Sequence, residues 1–470
     1  MSTTRGWSFL ITGATDKMSE TKNIKMTDGP ILSAVIRYSL PIVFAGMLQI
    51  LFNAADLAVV GHFAGSAATA AVGATGSTIS LIVNTVMGLA VGVNVVLARS
   101  LGAGDRENSK RTVHTAIAVS VIAGIAVMIV GILISRPAMV YTRCPQDALE
   151  QAVQYMIIYF AGSPAIFVYN FGSAILRTKG DTKHPLYYLT AAGVLNIFLN
   201  LVFVIVFRMA AAGVALATTL TQYLAAFLTI RCLMRQDDDC RFVLRETHIW
   251  KSQLIGIIRY GLPSGITQAM YSISNIQIQS AINDFGTSAV AGNSASSNLE
   301  GFISSGIAAL NAATVAFAGQ NIGAGNKKRV KKVIFVCLAV SVAFSLIAGF
   351  AVFFFSRQLI GAIYLPKDPE GVACGMVRAA FMMTTMWISG AFQVVGGTNQ
   401  ALGYSTAMMI NSIVGICGVR TVWMQWFYPL RKSLEMIYIC YPVTWAIILI
   451  ANTAVLLFAW HRYSKKGMIK

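Results

Sequence analysis

The chain has 470 residues, of which 56% are hydrophobic and only 11% charged, and its formal net charge is +18. Soluble domains average about 25% charged residues, so this balance, with apolar runs of about 20 residues recurring along the chain, excludes a soluble globular protein and indicates a polytopic membrane protein. The basic residues fall in alternate loops rather than on one face or tail, which fits positive-inside orientation and excludes nucleic acid as the partner they imply.

Residues 1–30 are polar and mixed in charge, with an apolar patch at Trp7 to Ile11 too short for a signal-peptide core; they read as a cytoplasmic tail, with Met26 a natural start for the first helix. The first span, Tyr38 to Gly61, carries one carboxylate, Asp56. Asp56 lies nineteen residues from Arg37, roughly 28 Å along a helix, nearly the hydrocarbon thickness. An acid at such a depth marks an ion or substrate site unless it is solvated at the helix end. The second span, Thr69 to Ala98, contains Gly88-Leu-Ala-Val-Gly92, a small-residue surface for close packing, and runs into the basic loop around Arg99, Arg106, Lys110 and Arg111. Spans follow at 113–135, 152–175, 185–207 and 212–234, and loops with few basic residues (Arg136, Arg143; Arg208) alternate with one rich in them (Arg177, Lys179, Lys183). A polar connector, residues 236–253, divides the chain.

The second half repeats the first. Tyr260-Gly-Leu-Pro263 answers Tyr38-Ser-Leu-Pro41 at an offset of 222, Asn321-Ile-Gly-Ala-Gly325 answers Ser100-Leu-Gly-Ala-Gly104 at 221, and Gly403 answers Gly180 at 223. The repeat has spans near 255–284, 289–319, 333–355, 376–401, 405–427 and 437–460. Six spans per repeat is an even number, so both halves enter from the same side. The expected fold is an all-α membrane protein of 12 transmembrane helices in two parallel-repeat six-helix lobes: N-lobe 31–235, linker 236–253, C-lobe 254–461 and a C-terminal tail 462–470, with the substrate path between lobes. Basic clusters, Lys327 to Lys332 among them, place both termini in the cytoplasm, and Lys367 lies in a sparse loop on the other side.

Buried polar groups are the candidates for function. In the first half they include Gln49, Asn53, Asp56, Asn84, Asn94, Tyr155, Asn170, Asn196, Asn200 and Thr218. Asn196 and Asn200 share a helix face, where they either orient a carboxylate and coordinate an ion or serve as interhelical hydrogen-bond partners. The second half has Glu300, at a depth comparable to that of Asp56 and read as a second functional acid, with Arg420 in the eleventh span either its charge partner in a structural ion pair or a side chain that snorkels toward a surface. Met382, Met383, Met386 and Trp387 form an apolar wall or ordinary packing. Seven scattered cysteines and five histidines show neither CxxC spacing nor a metal-type pair, and no GxxxxGK[ST] run is present.

The sequence resembles the multidrug and toxic compound extrusion (MATE) family from about Gly29 onward, through Leu40-Pro41, Asn53-Ala-Ala-Asp56 with Gly61, Leu101-Gly-Ala-Gly104, Leu176-Arg-Thr-Lys-Gly180-Asp181 and the GQNIGAG run from Gly319. The resemblance implies two lobes around a V-shaped cavity and secondary antiport of organic, often cationic, compounds against Na+ or H+. By matched position Asp56 is the first-helix acid, with Tyr155, Asn196 and Thr218 around it. Asn200 stands where members with that cluster have a second aspartate, and Gly390 and Tyr271 replace the acids another branch uses in the second lobe.

The expected protein is therefore an antiporter in the plasma membrane, a monomer and not an enzyme. Its coupling set would be Asp56, Asn196, Asn200, Thr218, Tyr155 and Glu300, with Na+ or H+ at Asp56. Its substrate cavity would be lined by Gln49, Asn53, Asn170, Met383, Trp387 and Arg420. Partners are small organic substrates and membrane lipid, and no cofactor is called for beyond the coupling ion. A lipid-linked precursor flippase would favour 14 spans and a strongly basic cavity. A membrane-embedded receptor is the alternative from another class, and an embedded enzyme would need paired acids or His clusters.

Overall fold

The computed structural model describes residues 24–142, 144–365 and 368–466. The tail before residue 24, Arg143, Lys367 and the chain beyond residue 466 lie outside the described residues. The N-lobe comprises α1 (Ile31–Phe63), α2 (Gly65–Gly102), α3 (Arg106–Tyr141), α4 (Gln146–Ala161), α5 (Ser163–Thr178), α6 (Lys183–Leu201) and α7 (Ala210–Met234). The C-lobe comprises α8 (Lys251–Asn283), α9 (Thr287–Gly323), α10 (Lys327–Leu359), α11 (Pro369–Ala401), α12 (Ser405–Ser412), α13 (Leu434–Tyr438) and α14 (Cys440–Lys466).

Ten helices among the described residues are long and apolar enough to cross a membrane, and α4 with α5, bent by 45° at Gly162, makes an eleventh. The twelfth crossing is α8. It is 33 residues long, but its Ser, Gln and Asn content lowers its apolarity, and part of that polar surface, Gln268 and Asn275 among it, faces a cavity in the C-lobe.

The repeat is visible in backbone geometry. Gly104 and Gly325 both turn with positive φ, +67° and +69°, which only glycine adopts without strain. The following residues, Asp105 and Asn326, cap α3 and α10 by accepting from the backbone N–H three residues on, at 3.0 and 3.1 Å. The long connector expected between the halves packs on α3: the Val243 N–H donates to His114 Nε2 at 3.1 Å and Gln253 Nε2 to Asn108 Oδ1 at 2.7 Å.

The lobes meet along α2 and α8. A Cβ on Gly88 would fall 2.1 Å from the Gly265 nitrogen, one on Gly92 2.1 Å from the Ile257 carbonyl, and one on Gly265 1.9 Å from the Thr85 carbonyl. The small-residue surface read in the sequence thus has its counterpart across the lobe boundary. Beside it, α1 meets α9 at Gly46 and Ser305.

At the end bearing the basic loops, two side chains donate hydrogen bonds across to carbonyls of the other lobe. Arg99 of α2 donates from Nη2 and Nε to the Ala401 carbonyl at 2.7 and 3.0 Å, and Gln320 of α9 donates to the Thr178 carbonyl at 2.7 Å. A strap from Ile24 to Gly29 spans the same end. Its Ile24 N–H donates to the Gly180 carbonyl at 3.3 Å, while Asn321 Nδ2 and Arg329 Nη2 donate to the Met26 and Asp28 carbonyls at 3.0 and 2.8 Å. Met26 itself is buried, so helix α1 starts after this strap rather than at Met26.

Candidate functional site

Asp56 is the only carboxylate of α1 and faces α6. There Asn200 donates from Nδ2 to Asp56 Oδ1 at 2.5 Å. A carboxylate oxygen accepts only, which orients the Asn196 amide: its nitrogen donates to the same oxygen at 2.9 Å and its carbonyl accepts from Thr218 Oγ1 of α7 at 3.2 Å. Asn196 and Asn200 are both buried, one helical turn apart. Asn200 Oδ1 has no hydrogen-bond donor, and no Lys, Arg or His pairs with Asp56 among the described residues. A carboxylate without a counter-cation, next to an amide whose oxygen is unclaimed, has the chemistry to accept a cation or a proton.

Tyr155 is buried in the same lobe and stacks on Tyr159, with ring centroids 6.3 Å apart. Gln49 and Asn53 precede Asp56 by two turns and one turn on α1, and their exposure leaves them free to meet a solute. Asn170 is bound to its own helix, donating to the Ile166 carbonyl at 2.8 Å.

The C-lobe holds a cavity of about 460 Å³, lined by residues that include Asn84 of α2, Glu300, Arg420 and Tyr441. Three residues sit otherwise than the pairing or cavity role considered for them. Glu300 pairs with Arg378 of α11, Oε2 to Nη2 at 2.6 Å, and not with Arg420. Because α11 begins at Pro369, Arg378 lies more than two turns inside the helix, buried, and not at the edge of a span starting at 376. Glu300 is therefore charge-paired with a buried guanidinium while lining the cavity. Met383 belongs to the lobe core with Met382 and Met386, where a Cβ on Gly349 of α10 would fall 2.2 Å from the Met383 carbonyl. Trp387 is partly exposed and does not line the cavity.

Arg378 is held through both of its terminal nitrogens, while its Nε, like that of Arg420, has no hydrogen-bond partner. Its Nη1 donates to Asn293 Oδ1 at 2.8 Å, and its guanidinium lies 5.6 and 5.8 Å from the ring centroids of Tyr438 and Tyr441. Arg420 is buried but loosely held, through two 3.3 Å hydrogen bonds from Nη1 to Ser274 Oγ and Asn275 Oδ1 of α8, and it lies 4.2 Å from the Tyr441 ring centroid. One polar cluster was not anticipated. Asp181, His184 and Cys232 converge at the basic end of the N-lobe, with Asp181 Oδ2 and His184 Nδ1 2.5 Å apart. The Asp181 to His184 spacing is a helix-cap signal; Cys232 joins from α7, a partner that sequence distance conceals.

A family model described as MatE matches residues 41–202 and again 263–424, one copy in each lobe. The chain is 26% identical over 399 residues to the probable multidrug resistance protein YpnP of Bacillus subtilis strain 168, covering 85% of this chain and 89% of that protein. It is 24% identical over 352 residues to an FAD transporter of Shewanella oneidensis, covering 73% and 76%. Its fold matches a solved outward-facing conformation of a multidrug resistance MATE family transporter of the MOP superfamily, with a TM-score of 0.85 at 21% identity, covering 94% of this chain and 98% of that one.

Proposed function

The chain belongs to the MatE family of multi-pass membrane transporters, and from that premise we propose that it is a secondary antiporter, exporting amphipathic organic compounds in exchange for Na+ or H+. The observation that carries the reading is the uncompensated Asp56 carboxylate beside the unclaimed Asn200 oxygen. A cation arriving there neutralises Asp56 and gains Asn200 Oδ1 as a second oxygen; a proton achieves the neutralisation alone. Either event changes the energy of holding α1 against α6, and so couples ion occupancy to the position of α1. A cationic solute competes for the same charge, and Gln49 and Asn53 on the same helix are its first contacts.

The basic clusters beside Arg99 and Lys327 support placing that end, and both termini, in the cytoplasm of a plasma-membrane protein. The close seams at Gly88, Gly92 and Arg99 then shut the cytoplasmic side, and rocking of the lobes about α2 and α8 opens it. Both polar clusters are built within one chain, which supports a monomer as the working unit.

The test is efflux of a fluorescent amphiphilic cation from proteoliposomes, driven separately by a sodium and a proton gradient. We expect one gradient to drive movement. Identical fluxes with both gradients and with none would overturn antiport.

A further inference from the structure

We propose that the C-lobe cavity binds the anionic group of an amphiphilic solute, a carboxylate, sulfonate or phosphate, through Arg420. This deepens the export reading above, since it names the charge that one end of the solute carries.

Arg420 is 1% exposed, yet it lines the cavity. Its Nε has no hydrogen-bond partner, and no carboxylate oxygen lies within 4.0 Å of it among the described residues. A buried guanidinium left without a counter-ion is costly, and such a charge persists where a ligand completes it. Glu300 does not serve, because Arg378 engages it at 2.6 Å. The cluster thus sets two guanidinium charges against one carboxylate, leaving one positive charge uncompensated at the cavity wall. Gln268, Ser304 and Asn311 line part of the rest beside Phe392 and Met408, and their N–H and O–H groups are suited to the remaining lone pairs of an oxyanion on an otherwise apolar solute. A guanidinium presents its N–H groups as a fork that fits carboxylate and phosphate oxygens.

The helix around Arg420 is also irregular. Residues Ile413–Val419 and Trp423–Phe427 are wound as π-helix, with a single α-helical turn, Arg420–Val422, between them. Such turns are rare and concentrate at functional sites.

The repeat strengthens the assignment. The family match sets the halves 222 positions apart, and at that offset Arg420 falls between the positions of Asn196 and Asn200. The first and fifth spans of each lobe therefore meet at related places: Asp56 with Asn200 in the N-lobe, Ser274 and Asn275 with Arg420 in the C-lobe. One place carries a lone negative charge and the other a lone positive charge. The two lobes are built to hold opposite charges.

The test uses the full-length chain in phosphatidylcholine nanodiscs, with dansyl-labelled undecanoic acid and its primary amide as a matched pair of probes. The acid should bind about tenfold or more tighter than the amide, as expected for charge-assisted hydrogen bonds. Arg420→Gln should erase that preference, with acid and amide then binding alike. Asn275→Asp provides a second route, since it keeps the guanidinium and installs a carboxylate in the place of the amide oxygen 3.3 Å away; it should erase the preference too. Equal binding of acid and amide by the unaltered protein, or a preference that survives both substitutions, overturns the proposal. If phosphatidylglycerol in the nanodisc, and not the dansyl acid, shows the Arg420 dependence, the ligand is a lipid headgroup and the assignment to a solute falls. Failure of antiport would appear as gradient-independent flux in liposomes with this binding preference intact, so the two readings fail separately.

Discussion

Arg99 and Gln320 hold the same place in the two repeats, 221 positions apart, and reach across the lobe boundary in opposite directions to equivalent carbonyls, those of Ala401 and Thr178. One donor is charged and the other neutral, so the two halves of this latch differ in strength. Hydrogen bonds to charged groups contribute about 1.5–3 kcal/mol and neutral ones about 0.5–1.5 kcal/mol. Arg99→Ala should therefore raise the population open at the basic end by about 10- to 100-fold, and Gln320→Ala by less. Distances between spin labels on the loops beside Lys110 and Lys331 would report this. No change in either variant would show that the latch does not hold the lobes.

The glycine seam makes a steric prediction. A methyl on Gly88 meets backbone 2.1 Å away, which cannot move without parting α2 from α8, whereas one on Gly76 of the same helix meets nothing within 4 Å. Gly88→Ala should destabilise the closed seam by about 1–3 kcal/mol, and Gly76→Ala should stay within about 0.5 kcal/mol of the unaltered protein. Thermal unfolding in detergent would compare them. Equal melting temperatures would mean that the lobes do not depend on this approach.

Asp56→Asn keeps the shape of the side chain and removes the charge that a cation neutralises. It should abolish gradient-driven efflux with little change in melting temperature. Asn200→Ala, which removes both the donor to Asp56 and the unclaimed oxygen, should retain transport but require about tenfold more coupling ion. Full antiport by Asp56→Asn would place coupling elsewhere.

For the Glu300 and Arg378 pair, the expected outcome is structural. Removing one partner of a buried pair leaves an uncompensated charge and costs about 3–5 kcal/mol. Glu300→Gln should lower the melting temperature, and adding Arg378→Gln should restore much of the loss. Adding Arg420→Gln in place of Arg378→Gln should not. Rescue by the Arg420 substitution alone would reassign the pair.

The two repeated caps should diverge with pH. Hydrogen bonds from the Asn108 backbone and side chain hold the Asp105 carboxyl below its usual range. A depressed folded pKa means that this capping contribution is present above the unfolded value of about 3.9 and is lost as pH falls through the lower folded value. Asn326 does not titrate. After correction for intrinsic rates, amide exchange on acidification should show protection falling at Asn108 and holding at Arg329. Parallel loss at both would mean that the ends fray for another reason.

Twelve spans, their duplication and Asp56 were legible in the sequence because each is a local signal. Hydropathy over about 20 residues marks a span, glycine and proline at matched offsets mark a repeat, and an acid in an apolar run stands out by itself. The i, i+4 spacing of Asn196 and Asn200 likewise placed both on one face before their partner was known. Which residues meet between helices was decided only in three dimensions. Glu300 lies 78 positions from Arg378 and 120 from Arg420, and sequence distance favours neither in a meaningful way. The choice follows from where α11 begins and how it is rotated against α9, which sets Arg378 toward Glu300 and turns Met383 into the core. The Gly88 to Gly265 approach and the reciprocal bonds of Arg99 and Gln320 have the same origin. Hydropathy sets how deep a residue sits along its helix, but the direction its side chain faces depends on the packing of helices distant in the chain.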